Sequence, residues 1–248
     1  MNNFYKLNGS KYPICHDFFV NISTEPQAYL LGFYIADGNI NEKRKTFRVN
    51  VNSIDNEIID LFKQHIGPYC RTYIKPPYKI IGRNNKEYVG NEQIVLDINS
   101  SKLVNSLVNL GYGYRKSWES LHLPQLPKKL IIDFIRGYFD GDGCVCSWVC
   151  KEKNKKDRIR CTLSFVSKKS ALLDEIQEFL SNYSIHFNRH YLIRDDMYRI
   201  ATSSKESVLR FYNLIYKDAS CFLSRKKEKL ENYVNTEILH KTDGDCNA

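Results

Sequence analysis

The chain repeats itself. Residues 28–38 read AYLLGFYIADG and residues 133–143 read DFIRGYFDGDG. Both are apolar runs of helical length that end small-Asp-Gly, so Asp37 and Asp142 occupy equivalent points. The match continues in order. INSSKLV at 98–104 answers IATSSKESV at 200–208, and Arg115-Lys116 answers Arg225-Lys226. Ser100 trails Asp37 by almost the interval at which Ser203 trails Asp142. Self-similarity of this kind limits the chain to two related structural units.

The hydrophobic pattern repeats too. In TFRVNVN (46–52), Thr46, Arg48, Asn50 and Asn52 alternate with Phe47, Val49 and Val51. In RIRCTLSF (158–165), Arg158, Arg160, Thr162 and Ser164 alternate with Ile159, Cys161, Leu163 and Phe165. Period-two alternation is the pattern of a half-buried strand. An amphipathic helix follows each, DNEIIDLFKQHIG (55–67) and KSALLDEIQEFLSNY (169–183), with Asp55 and Ser170 as expected caps and Gly67 as an expected stop. Further strands are expected around 71–81, 92–98, 186–194 and 197–202, and a helix after each SSK. Each half therefore reads αββαββα, an α+β fold with pseudo-twofold duplication. Pro124 and Pro127 in HLPQLPKK (122–129) mark the linker. The expected divisions are an N-terminal extension (1–26), a first half (27–125), a second half (126–235) and a loose tail (236–248).

The paired motifs point to chemistry. Gly38 and Gly143 sit where a helix stop takes a left-handed residue. The aspartates before them are out of place, because a carboxylate at the negative end of a helix is disfavoured by roughly 0.3–1 kcal/mol. One turn earlier, Gly32 precedes Ala36 and Gly137 precedes Gly141, a spacing that puts small residues on one helix face. Small faces let two backbones approach closely. Helices packed this way would bring Asp37 and Asp142 together, and two carboxylates at two negative helix ends call for a cation. Oxygen-rich sites suit hard divalent ions, Mg²⁺ above all, and such ions serve phosphoryl chemistry.

LLGFYIADG (30–38) and IRGYFDGDG (135–143) resemble the two signature helices of the LAGLIDADG homing endonucleases, and the αββαββα repeat is similar to that family over about residues 27–235. The resemblance implies a saddle with the signature helices at its centre and curved sheets in the DNA major groove. It implies metal coordination by Asp37 and Asp142, with the carbonyls of Ala36 and Gly141 as further ligands. It places a lysine near each scissile phosphate: Lys116 in one half, and Lys226 or Lys227 in the other. The cofactor implied is Mg²⁺, with Mn²⁺ or Ca²⁺ able to take its place. The signature's earlier acid is Ile35 in one copy and Asp140 in the other. That position does not bind metal in the family, and Asp140 is expected to be structural. The implied activity is a metal-dependent double-strand break in DNA, made across the minor groove and leaving 3′ overhangs. The two halves differ, so the target is expected to be long and only partly palindromic, and cutting would mobilise a host intron or gene. An intron RNA maturase and a non-catalytic DNA-binding regulator on the same fold are the alternatives. Retention of both aspartates weighs against each. Internal duplication supplies both halves in one chain, so a monomer is expected.

Composition agrees with a polyanionic partner. Lys plus Arg number 37 against 28 Asp plus Glu, a formal charge of +9, and 17 residues are Tyr. Charge by itself does not separate DNA from RNA, membrane or heparin. No run approaches the ~20 apolar residues of a membrane span. The start, MNNFYKLNGSKYPICHDFF, does not read as a signal peptide, so an intracellular place, cytoplasm or organelle, is expected. Met at one end and Cys-Asn-Ala at the other do not read as the splicing termini of an intein. The eight cysteines are scattered and read as reduced thiols. Cys144, Cys146 and Cys150 lack the spacing of a zinc site. His186 and His190 are not expected to bind metal, and no phosphate loop or helix-turn-helix is present.

The polar strand faces are the expected DNA-reading surface. In the first half the candidates are Arg44, Arg48, Asn50 and Asn52, then Lys75, Tyr78, Lys79, Arg83 and Lys86. In the second they are Lys153, Lys155, Lys156, Arg158 and Arg160, then Arg189, Tyr191, Arg194 and Arg199. Lysines in hairpin loops are expected on phosphates.

Overall fold

A computed structural model of the chain describes residues 3–7, 11–81, 86–113, 121–151 and 158–245. The first half runs α1 (Glu25–Asp37), β1 (Gly38–Asn41), β2 (Thr46–Asn52), α2 (Asn56–His65), β3 (Thr72–Lys75), β4 (Lys79–Ile81), β5 (Glu87–Val89), β6 (Gln93–Asn99) and α3 (Ser101–Asn109). The second runs α4 (Lys128–Asp142), β7 (Cys144–Cys150), β8 (Arg158–Ser167), α5 (Ala171–Ser181), β9 (Asn188–Leu192), β10 (Met197–Thr202), α6 (Lys205–Ile215) and α7 (Ser224–Asp245). The duplication is thus topological. The first sheet has strand order β1-β2-β6-β3 and the second β7-β8-β10-β9, both antiparallel. The first half adds a small hairpin, β4–β5.

The alternation sorts side chains as the strand pattern predicts. Phe47, Val49 and Val51 are buried on the inner face of β2, and Cys161, Leu163 and Phe165 on that of β8. Helix α2 covers the first inner face with Ile58, Ile59 and Phe62, and α5 covers the second with Leu172, Leu173 and Ile176. α1 is apolar all round, and every residue from Ala28 to Ile35 is buried, as a helix without a polar face must be.

The extension, whose role the sequence left open, contributes to the core: Ile14, Cys15, Phe18, Phe19 and Ile22 are buried there, and the Cys15 N–H donates to the Ile66 carbonyl. Three expectations are corrected. The segment expected as a loose tail continues α7 to Asp245. Neither Asp55 nor Ser170 caps its helix with its side chain. Asp55 instead accepts from Arg225 Nε at 2.5 Å and Nη2 at 2.8 Å, tying the first half to the start of α7. The SSK repeat is also out of step by one residue. Ser100 caps α3, whereas Ser204, not Ser203, caps α6. Among the described residues seven cysteines are free thiols, and no helix is long and apolar enough to cross a membrane.

Candidate functional site

α1 and α4 lie side by side and parallel, and their glycines allow it. A Cβ on Gly32 would fall 2.0 Å from the Phe134 carbonyl oxygen, and one on Gly137 would fall 1.9 Å from that of Tyr29. Backbone therefore rests on backbone, reciprocally. The contact extends to the helix ends, where a Cβ on Gly141 would lie 2.2 Å from the Ala36 Cβ and 3.4 Å from Asp37 Oδ2. The Asp37 carboxylate thus stands beside the residue preceding Asp142. Both aspartates are exposed to solvent, each as the last residue of its helix.

Gly38 and Gly143 do not adopt the expected left-handed stop. Their φ values are −86° and −77°, and the chain runs straight from helix into strand. Glycine is needed there because a Cβ would lie 2.2 Å from a Tyr34 ring carbon or 2.3 Å from a Phe139 ring carbon.

The expectation that Lys226 reaches a phosphate is also corrected. Lys226 is only 6% exposed. Its Nζ donates to the carbonyls of Phe139 (2.7 Å), Asp140 (2.7 Å) and Gly143 (2.6 Å), with Gly141 at 3.3 Å. An ammonium at this point satisfies the orphan carbonyls and the negative end of α4. Burial pulls its pKa down to about 8, against the opposing pull of Asp140, Asp37 and Asp142. Both signature aspartates therefore act on one buried cation. Asp140 lies behind them, accepting from Tyr29 Oη (2.8 Å), Tyr216 Oη (2.5 Å) and the Leu223 N–H (2.8 Å). Burial pushes its pKa up to about 6, and these bonds and Lys226 oppose the rise. Lys227 sits over the Phe222 ring at 3.9 Å, and Lys116 lies outside the described residues.

A cavity of about 180 Å³ opens beside Asp142, lined by Ala36, Tyr138, Ser167, Lys168 and Lys169 among others. Lys168 and Lys169 escaped the sequence reading because no lysine precedes the corresponding helix of the first half, where NSID (52–55) stands, so the repeat gave no signal.

On the outer face of the first sheet, turned away from the helices, side chains of β2 bond to those of β6, two of them directly opposite and the third, Asn50 to Gln93, on the diagonal. Thr46 donates to Asn99 (2.8 Å), Arg48 to Asp97 (2.6 Å, twice) and Asn50 to Gln93 (2.9 Å). A groove of about 440 Å³ runs along this face past Arg44. Asn52 is spent on the turn after β2, accepting from the Ile54 N–H. Lys75 lies over the Tyr78 ring at 4.8 Å, Lys79 pairs with Glu87, and Lys86 is exposed beside β5. In the second sheet Arg158 and Arg160 are exposed, and Arg199 shares the outer face with His190. Arg194 lies in the β9–β10 turn beside Asp195. Two candidates are on the wrong face. Arg189 stands opposite the buried Ile200 and pairs with Asp174 of α5, and Tyr191, two residues on, donates to Asp196. The outward residues of β9 are Asn188 and His190, which line a second groove of about 380 Å³ with Ser203. NRHYL has no alternation to reveal this, because β9 is an exposed edge strand. Arg83, Lys153, Lys155 and Lys156 lie outside the described residues.

Residues 129–216 match the model of the LAGLIDADG-like domain. The chain has the same fold as the I-SmaMI LAGLIDADG homing endonuclease, seen bound to cleaved DNA: the TM-score is 0.59 over 90% of this chain and 91% of that one, at 13% identity. It matches the I-LtrWI LAGLIDADG homing endonuclease, seen bound to target DNA, with a TM-score of 0.57 over 88% and 91% at 11% identity. The chain carries the LAGLIDADG fold. In sequence it is 24% identical over 245 residues to an uncharacterized protein of Methanocaldococcus jannaschii, covering 90% of this chain and 76% of that protein. It spans 24% and 9% of the length of two further curated relatives from the same organism.

Within the LAGLIDADG frame the donor set fits a hard divalent cation. Two solvent-facing carboxylates from separate helices stand beside the partly exposed peptides of Ala36 and Gly141. Among the described residues no cluster of three His, Cys, Asp or Glu gathers for a metal. Two carboxylates are within the one or two that Mg²⁺ takes from a protein, the rest of its shell being water and phosphate oxygens.

Proposed function

We propose that the protein is a site-specific DNA endonuclease that makes a metal-dependent double-strand break at a long, partly palindromic target, and so mobilises its host intron or gene. One observation carries the reading. Asp37 and Asp142 are brought side by side at the ends of interlocked helices, each leading into a sheet that carries arginines on its outer face, Arg48 in the first and Arg158, Arg160 and Arg199 in the second. The DNA-bound LAGLIDADG endonucleases of the same fold support it, as does the I-SmaMI structure holding uncleaved target in the presence of calcium ions.

Asp37 and Asp142, with the carbonyls of Ala36 and Gly141, would hold Mg²⁺, or Mn²⁺ or Ca²⁺ in its place. The ion would supply Lewis acidity at the scissile phosphate and lower the pKa of a bound water. The chain's own residues do the rest. Lys226 fixes the end of α4, and with it the position of Asp142. Lys168 and Lys169 set positive charge beside the Asp142 cavity, where a phosphate oxygen would lie. The sheets hold the duplex through phosphate and base-edge contacts. One chain carries both halves, so it acts as a monomer.

The test is cleavage of a plasmid bearing the joined sequences that flank the host gene, with Mg²⁺ and with EDTA. Asp37→Asn and Asp142→Asn should each abolish double-strand cutting while salt-sensitive binding survives. If either variant cuts both strands like the parent, the site assignment is wrong.

A further inference from the structure

The two sheets share a topology but not an outer face. Asn39 faces Arg48 in the first sheet and Cys144 faces Ser164 in the second, each one residue past the glycine that ends its helix. Arg48 in turn faces Asp97, and Ser164 faces Ala201. An arginine–aspartate pair in one half therefore answers a serine–alanine pair in the other. The neighbouring rung is kept: Thr46 bonds Asn99 at 2.8 Å, and Thr162 bonds Ser203 at 2.6 Å.

The charged rung is half-open to solvent, its side chains 44% and 29% exposed, so even as a bidentate pair it adds only modestly to stability. Their geometry has another use. Arg48 gives Nε to Asp97 Oδ1 and Nη2 to Oδ2, both at 2.6 Å. A guanidinium has five N–H groups, so the Nη1 pair and the second Nη2 hydrogen remain. Those form a fork at the tip of the side chain, the shape that matches guanine N7 and O6 in the major groove. Asp97 fixes the plane of that fork, so less rotamer freedom is lost on binding. Its unused lone pairs suit the amino group of a cytosine. Thr46–Asn99 and Asn50–Gln93 brace the rung on either side.

We propose that Arg48 and Asp97 form one reading unit for a guanine·cytosine pair in the half-site under the first sheet, with no equivalent at the symmetric position of the other half-site. Arg48 touches the base and Asp97 positions it. The inference rests on the DNA-cleaving reading above and adds which residues set the target's asymmetry.

The experiment is selection from a library of random-sequence DNA duplexes with the full chain in calcium buffer, followed by sequencing of the bound fraction. The parent should enrich a long motif with guanine fixed at one position of one half. Arg48→Lys, which keeps the charge but loses the fork, and Asp97→Ala should each weaken that guanine preference about tenfold. Both should act at the same position and leave the rest of the motif intact, which also shows that the variants are folded. Unchanged preference everywhere, or changes at different positions, overturns the proposal. Loss of the whole motif in both variants would mean the pair only holds the sheet, and overturns it too. Failure of the parent to enrich any motif would instead sink the DNA reading beneath it.

Discussion

At the scale of single residues, the site depends on atoms that are missing as much as on those present. Gly137→Ala would drive a methyl group to within 1.9 Å of the Tyr29 carbonyl oxygen, which belongs to backbone and cannot swing aside. Overpacking of this kind costs about 1–3 kcal/mol, so the urea midpoint of Gly137→Ala should fall clearly below the parent's. Lys226→Met should be as severe. It strands several buried carbonyls and leaves Asp140 without its cation, a loss of about 3 kcal/mol by the measure of broken buried pairs. Lys227→Met, lying over the Phe222 ring, should stay within about 1 kcal/mol of the parent in the same denaturation. The aspartates and the small residues were readable from the repeat because each recurs. The burial of Lys226 was not, since a lysine in SRKKEK looks the same whether it faces water or four carbonyls.

At the scale of elements, the halves are fastened through helix ends. Glu25, the first residue of α1, accepts from the N–H groups of Ser220 and Cys221, the Ser220 hydroxyl and Arg136 of α4. Burial raises its pKa, but these donors outweigh it and hold the carboxyl below its ordinary 4.5. A depressed folded pKa means stability that is present above the unfolded value and lost as pH falls through the folded one. Glu25→Gln should therefore lower stability at neutral pH by about 2 kcal/mol. The gap to the parent should close on acidification below 4.5, as read by denaturant midpoints across pH. The strands β2 and β8 were legible because one face of each is buried. In β9 nothing is buried deeply enough to impose a period, which is why Arg189 and Tyr191 read as outward and are not.

At the scale of the whole molecule, neither half is self-sufficient. α1 is buried on every side largely by α4, Arg225 pairs with Asp55, and Ser224 bonds Glu57. A fragment ending at residue 125 would expose the glycine face of α1 and unpair Asp55 and Glu57. It should show neither cooperative unfolding nor a monomeric elution volume, and a stable monomeric fragment would contradict the shared core. By itself the sequence determined the duplication, the αββαββα order, the helix-ending aspartates and the inward faces of the central strands, because periodicity and repetition are local and are written along the chain. Only the tertiary structure decided that Lys226 is buried, that the N-terminal segment completes the core, and that Arg48 is held by Asp97. Those facts arise from partners tens of residues away, and no local pattern records which side chain a distant strand or helix will bring alongside.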